Sequence, residues 1–485
     1  MQRRGMSRRE FCRVAAALAA CGSIAQSGEE GQGGSRLRAA GFRSDATPPL
    51  GMPIYPSYKP LETIEHPLLA KGVVLDDGRH RYVLCAVDWC ILSNSTRLQL
   101  RRKAAEAAGT ELSRVTIHVV HQHSAPAVDA DAQKVLETID NPPGYLDLKF
   151  VASVGDRLAA AVREAAGRLQ AVDRIGTGQA KVERVASSRR IVTADGKLHG
   201  RNSSGGRNPA LAALPEGLID PWLKTIALAR GNQPVVRLHY YATHPQSFYG
   251  DPRVSMDFVG LAREKMEEEE GVPQVYFTGC AGDVAAGKYN DGTPRAREEL
   301  TGRLLAGMRA AAAATRYEPA GDVRWRTLPL VLPWKTAPGF TIPELRAKMA
   351  DAREPPHLRI LAARRIAFHQ RLDRPLELSA LHCGRLHVLH LPGEPMVAFQ
   401  LYAQQLLPGE FVAVAGYGDG CTNYICTEQA FREGGYEPSA STVGPQSEAL
   451  LKAAIRQLLG ANAPSGEGTR GCDVPVLAST LLRLP

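Results

Sequence analysis

Aromatic side chains are scarce in this 485-residue chain, at 6%, which argues against a surface that stacks sugars or nucleobases. None of the nine cysteines forms a Cys-x-x-Cys pair, so a cysteine-built zinc site is not expected. No run of about 20 apolar residues is present that could span a bilayer. Charge of one sign is also short once the N-terminus is set aside. The formal charge is +9, but residues 1–20 hold Arg3, Arg4, Arg8, Arg9 and Arg13 against Glu10, a net of +4. Taking +4 from +9 leaves +5 for the rest, with no basic cluster, so a nucleic-acid partner is not expected. No sequence feature points to a protein partner.

The first segment that is informative is the N-terminus. Ser7-Arg8-Arg9-Glu10-Phe11 looks like a twin-arginine export signal, followed by the short apolar stretch Val14 to Ala20. A basic stretch before a short apolar one reads as a signal peptide over residues 1–21. Leu18-Ala19-Ala20-Cys21-Gly22 resembles a lipobox, in which Cys21 would be lipidated and tether the protein to a membrane. The alternative is a soluble protein cut a few residues later. Either way the expected location is periplasmic or cell-surface. Residues 22–41 are rich in Gly, Ser, Glu and Gln and read as a flexible linker. Export permits disulfides; Cys421 and Cys426 are close enough to pair, which sequence alone leaves open.

Between residues 42 and 460, strand-like and helix-like runs alternate. Strands are expected at Tyr82–Val87, Val115–His121 and Val275–Thr278. A hairpin is expected from Thr225–Ala229 and Val235–Ala242 through Gly231-Asn232, and another pair of strands around Cys383-Gly384. Helices are expected over Ser95–Ala108 (with Ser95 as cap), Tyr145–Leu169, Phe258–Glu269, Glu298–Ala314, Pro395–Leu407 and Ser447–Leu459. The pattern predicts an α/β fold of mixed sheets flanked by helices, in one large catalytic domain. Residues 335–372 are charged and helical and read as an insertion or lid, and residues 461–485 as a C-terminal tail.

The polar residues that could carry chemistry sit where strands end. His121-Gln122-His123-Ser124-Ala125-Pro126 closes one strand, and period two places His121 and His123 on one face. Taken alone, this pair reads equally as core histidines. Thr243-His244-Pro245 ends a second apolar run. Glu394, in Leu391-Pro392-Gly393-Glu394-Pro395, ends a third, where a buried carboxylate must be paired, bound to metal or used as a helix cap.

Together these segments resemble the neutral/alkaline ceramidase family. His121–Pro126 looks like its histidine motif, Pro392-Gly393-Glu394 its glutamate motif, and Thr422-Asn423-Tyr424-Ile425-Cys426-Thr427 its tyrosine motif. Tyr436-Glu437, Ser441-Thr442 and Gly444-Pro445 look like the stretch after it. The resemblance runs from about Asp45 to Leu459, short of the family's immunoglobulin-like C-terminal domain. It implies a zinc site at His121, His244, Glu394 and Tyr424, a donor set suited to Zn²⁺. It implies hydrolysis of an N-acylsphingosine, another N-acyl lipid or another amide by zinc-activated water. In this reading His123 shuttles protons to the leaving amine and Tyr436 hydrogen-bonds the developing oxyanion.

Two departures stand out. Ala285 occupies the position of a family serine, and the family's Asn-Arg-Ser motif is matched only loosely near Gly200-Arg201-Asn202-Ser203. Arg201 is either a substrate contact or a solvated loop arginine. Asp283 and Asp257 are candidates to orient a ligand imidazole; Asp257 could equally cap the following helix, and Asp88 is similar. A metallo-β-lactamase-type site is disfavoured because Ala125 stands where that motif needs an aspartate. The non-enzyme alternative is an exported lipoprotein of the same fold that binds a lipid or other ligand without turnover.

Overall fold

Among the described residues, two five-stranded sheets and one four-stranded sheet, accompanied by two-stranded ladders, position the polar residues that sequence singles out. The structure is a computed structural model that describes residues 37–461. The readings of residues 1–21, of the linker up to residue 36, and of the tail beyond residue 461 fall outside the described residues, as does Cys21.

The first sheet orders the strands Gln170–Ala171, Arg38–Asp45, Leu69–Asp76, Arg81–Val87 and Val115–Val119. The strand Leu69–Asp76 is buried at every position. Even Lys71 is enclosed, its ammonium 2.7 Å from Glu264 and 2.5 Å from Glu267, which is how a buried charge is tolerated. Arg38–Asp45 starts inside the segment read as a linker up to residue 41. Ala39, Ala40 and Phe42 are buried there, and this apolar content overrides the flanking Gly and Arg.

The second sheet orders Gln274–Thr278, Gln233–Tyr241, Trp222–Arg230, Arg174–Lys181 and Arg316–Pro319. The expected hairpin is its centre, with Thr225 opposite His239 and Arg230 opposite Gln233. The third orders Val323–Leu330, Leu376–Cys383, Leu386–His390 and Phe411–Ala415, and the two strands expected around Cys383-Gly384 pair antiparallel. Helices Asn94–Ala108, Leu148–Gly167, Asp257–Glu270, Pro294–Ala313, Val397–Leu406 and Ser447–Leu459 flank these sheets. This is the mixed α/β arrangement that the alternation predicted, and the described residues form one unit.

Three local expectations change. The first helix is capped at Ser93, not Ser95, and its start is held by the Asn94 N–H on Asp419 rather than by a cap hydroxyl. The strand read as Val115–His121 ends at Val119, because His121 turns into the left-handed region at φ 71°. Residues 335–372 form two helices, Ile342–Ala350 with a Thr341/Glu344 capping box and Pro356–His369. The second is built into the body rather than lying over it. Its Ile360, Ala363, Ile366 and Phe368 are buried, and Arg364 reaches Asn423 at 3.2 Å. Cys421 and Cys426 are separate buried thiols.

Candidate metal centre

The chain just past one strand of the first sheet and one of the second, together with a separate two-stranded ladder, brings four side chains into one buried space. His121 leaves its strand through the left-handed turn, a conformation that costs a non-glycine residue energy and that surrounding structure must hold. Its N–H donates to Trp89 O at 2.9 Å, and its Nδ1 lies 2.6 Å from Cys90 O. His244 follows the strand Gln233–Tyr241. Its N–H donates to Val284 O, and its Nδ1 lies 2.6 Å from Ala281 O and 3.1 Å from Val284 O. Gly393 turns the chain at φ 62°, where a Cβ would strike the Thr422 hydroxyl. That close approach lets Glu394–Pro395 pair in parallel with Tyr424–Ile425, Glu394 opposite Tyr424.

Glu394 Oε2 lies 3.1 Å from His121 Nε2 and 3.3 Å from His244 Nε2. Both Nδ1 atoms face backbone carbonyls, so both must carry the ring proton and both Nε2 atoms present lone pairs. Two lone pairs and a carboxylate oxygen therefore face one another with almost no water access. His244 Nε2 and Glu394 Oε2 are buried with no hydrogen-bond partner. Such a cluster repels itself unless a cation or a proton stands within it. The three ligand atoms lie within 4.8 Å of one another, and two imidazoles with a carboxylate form a donor set suited to zinc. The residues present fit a divalent metal.

Charge in the cluster is tightly coupled. Burial penalises the His121 imidazolium, but the Glu394 carboxylate and then Cys90 outweigh it and hold its pKa up at about 10. Burial drives His244 down to about 4. Burial opposes ionisation of Glu394, yet His121 and His244 hold it well below the ordinary carboxylate range.

Tyr424 stacks on His244 with ring centroids 6.5 Å apart at 22°. Its hydroxyl accepts from Arg189 at 3.1 Å. Burial pushes this phenol well above its usual pKa, with Arg189 pulling the other way. His123 joins the group, its Nε2 3.4 Å from His121 Nε2. The pair meets across the left-handed turn rather than through strand alternation. Burial, then His121 and His244, keep His123 well below its ordinary pKa, so it is neutral near pH 7.

A cavity of about 560 Å³ reaches this centre, lined by His123, Tyr424, Arg189, Tyr55 and Tyr436 among others. Tyr436 stands at its mouth, 56% exposed, with its ring 5.7 Å from that of Tyr424.

Four residues singled out in the sequence do not bond to the ligands of the centre. Arg201 is neither a solvated loop residue nor aimed at the centre. It is 1% exposed, and its guanidinium donates to the carbonyls of Leu211, Leu214, Pro215, Ser188 and Glu216. It clamps a loop at the far wall of the cavity. Asp283 holds no imidazole; backbone carbonyls do that for both histidines. Its Oδ1 instead accepts from Val397 N at 2.8 Å. Asp257 accepts from Ser247 and Phe258, and Asp88 makes a two-pronged pair with Arg263. Neither touches the centre. Ala285 pairs with Ser187 and bridges to His244.

The sequence reading overlooked Arg189, Tyr417 and Tyr55. Arg189 bonds Tyr424, pairs with Glu437 at 3.2 Å and lies 5.2 Å over the Tyr436 ring. Tyr417 stacks on His121 at 4.3 Å, and Tyr55 packs edge-on to His123 at 5.4 Å. Each arrives from a remote segment, and no local pattern in Ser188-Arg189-Arg190 or Ala415-Gly416-Tyr417 marks it.

No protein-family model matches this sequence, and no curated protein matches it. Solved structures do match in fold. The crystal structure of neutral ceramidase from Pseudomonas aeruginosa superposes with a TM-score of 0.63 at 17% identity, over 86% of this chain and 73% of that one. A structure described as ceramidase complexed with C2 gives a TM-score of 0.62, also at 17% identity, over 86% of this chain and 74% of that one. The chain has the neutral ceramidase fold.

Proposed function

We propose that this protein is an exported zinc-dependent hydrolase of linear amide bonds, acting on an N-acylsphingosine or a related N-acyl amide. The observation that carries this reading is the convergence of His121 Nε2, His244 Nε2 and Glu394 Oε2 in a buried space, with both Nδ1 atoms committed to backbone carbonyls and with His244 Nε2 and Glu394 Oε2 lacking a hydrogen-bond partner. The shared fold with ceramidase structures supports it.

In this reading His121, His244 and Glu394 hold the metal, with Tyr424 beside them. When bound, zinc supplies Lewis acidity toward the amide carbonyl and lowers the pKa of water toward 7. The chain does the rest. Arg189 fixes the Tyr424 hydroxyl and brings positive charge to the cavity floor. Tyr436, at the mouth, donates its hydroxyl to the substrate carbonyl oxygen as charge builds there. His123, buried and neutral, takes the proton of the attacking water and passes it to the amide nitrogen as the C–N bond breaks. The products are a carboxylic acid and an amine. Nothing in this scheme needs a serine nucleophile, so Ala285 does not obstruct it. Tyr55 and Tyr417 keep the two imidazoles in place by ring packing.

Measurement of metal content, paired with release of fatty acid from a panel of N-acyl amides, tests the reading. Bound zinc with turnover supports it. Bound zinc with no turnover across the panel returns the protein to the ligand-binding alternative.

A further inference from the structure

A second cavity, of about 830 Å³, lies beside the first. The two share only Arg190 in their walls, and no candidate metal ligand lines the larger one. Its base is Asp283, which is 7% exposed. One carboxylate oxygen accepts from Val397 N, and the only other hydrogen bond to this carboxylate comes from the residue's own backbone N–H.

The charges around the cavity pair off in a way that isolates Asp283. Arg190 pairs with both Glu433 and Glu437 at 3.0 Å, Arg432 faces Glu428 at 3.9 Å, and Lys452 pairs with Glu448 at 2.6 Å. Each base in the lining is engaged by at least one glutamate, and Asp283 is in salt-bridge contact with none of them. Burial raises its pKa to about 6, so it is mainly ionised at neutral pH. Much of the remaining wall is apolar: Ile191, Val192, Leu218 and Met396 face the same space. Val192 is 48% and Leu218 55% exposed, so an apolar rim opens to solvent.

A buried carboxylate that is bonded only by backbone N–H groups and has no cationic side chain in salt-bridge contact favours a cation. A metal ion is a poor match, because no second ligand converges with Asp283 and hard cations need several oxygens. An anion is excluded by the sign of the leftover charge. We propose that this cavity is a binding site for an organic ammonium ion, with its charge on Asp283 and its apolar body against Ile191, Val192, Leu218 and Met396. The N–H donors of an ammonium complete the unfilled valence of the carboxylate, and the apolar wall takes an alkyl body that free ammonia lacks.

The site is linked to the candidate metal centre through short stretches of backbone. Ala281 O and Val284 O, on either side of Asp283, hold His244 Nδ1. Val397, bonded to Asp283, opens the helix that follows the Glu394–Pro395 strand. An amine is also what amide hydrolysis releases. That connection rests on the hydrolase reading; the binding itself does not.

Calorimetric titration of the intact protein at neutral pH tests the assignment, using hexylammonium chloride with hexanoate and hexanol as matched chains. One saturable site for hexylammonium is expected, with no such site for hexanoate. Asp283→Asn should weaken binding by about tenfold or more, the loss of one charge-assisted contact. Leu218→Ser and Val192→Ser, both at exposed positions, should weaken hexylammonium more than methylammonium. Where Asp283→Asn fails to fold, the rim variants decide, and unchanged affinity in both overturns the site. Absence of saturable hexylammonium binding overturns it, as does full affinity in folded Asp283→Asn. Repeating the titration on Glu394→Ala separates the two cavities: binding lost there but kept in Asp283→Asn would place the amine on the metal centre. None of these readouts depends on amide turnover, so the site can fail while the hydrolase reading stands, and the reverse.

Discussion

Glu394 and Tyr424 face each other across a two-residue parallel ladder, and the Glu394 N–H is held by the carbonyl of Asn423 beside Tyr424. The carboxylate and the phenol are thus delivered to the centre by one piece of backbone pairing. Tyr424→Phe should leave this ladder and the fold intact while weakening metal retention and lowering kcat. Dialysis against a graded chelator series, followed by metal analysis, reads the first effect. Equal retention in the variant and the wild type would remove Tyr424 from the metal site.

His123 is assigned to proton movement and not to metal binding. His123→Gln should keep its metal and lose about 10²- to 10⁴-fold in kcat, the usual worth of a general acid–base group. A variant that loses metal along with activity would make His123 a ligand.

Arg201 and Arg189 make opposite predictions. Arg201 anchors five carbonyls, one of them fully buried, so Arg201→Met should destabilise the fold by about 1–3 kcal/mol, because a buried acceptor is left unpaired and the loop loses its clamp. Metal content should not change. Arg189→Met should spare metal and most stability, and should lower kcat through Tyr424 and the cavity floor. Chemical denaturation and steady-state kinetics on both variants separate these outcomes.

Glu264 links stability to pH. Burial alone would raise its pKa, but Arg263 and Lys71 outweigh this and bring it down to about 2. A lowered folded-state pKa means that the unfolded chain binds protons first as pH falls. The stabilising contribution is present above the unfolded value of about 4.5 and is lost as pH falls through about 2. Glu264→Gln should therefore show a shallower loss of stability over that acid window, measured by urea unfolding at several pH values. An identical slope in the two proteins would contradict the pairing.

Metal removal is also a stability experiment. An ion that binds the folded centre and not the unfolded chain raises the melting temperature by mass action. Chelation should lower the wild-type Tm and leave that of Glu394→Ala unchanged.

Period-two and period-3.6 patterns in the sequence are enough to locate the central hairpin, the flanking helices and the strand ends that carry His121, His244 and Glu394. Those features depend on local apolar spacing. What local spacing could not supply was the left-handed turn at His121, the buried role of Arg201 and the arrival of Arg189, Tyr417 and Tyr55. Each depends on contacts between distant segments: Arg189 N–H on Asp283 O, the Tyr417 ring on His121, the Tyr55 ring on His123. The strand at Arg38–Asp45 was hidden for a related reason. Its short apolar run sits beside Gly and Arg residues that mimic a linker, and burial against the next strand decides its state.

The measurement closest to the central claim is elemental analysis of the purified protein beside its Glu394→Ala variant. The account predicts about one equivalent of zinc in the wild type, in keeping with a single site of closely spaced ligands, and its loss in a variant that still folds. A folded wild type that binds no zinc when offered it, or a Glu394→Ala protein that binds zinc as tightly as the wild type, would contradict it.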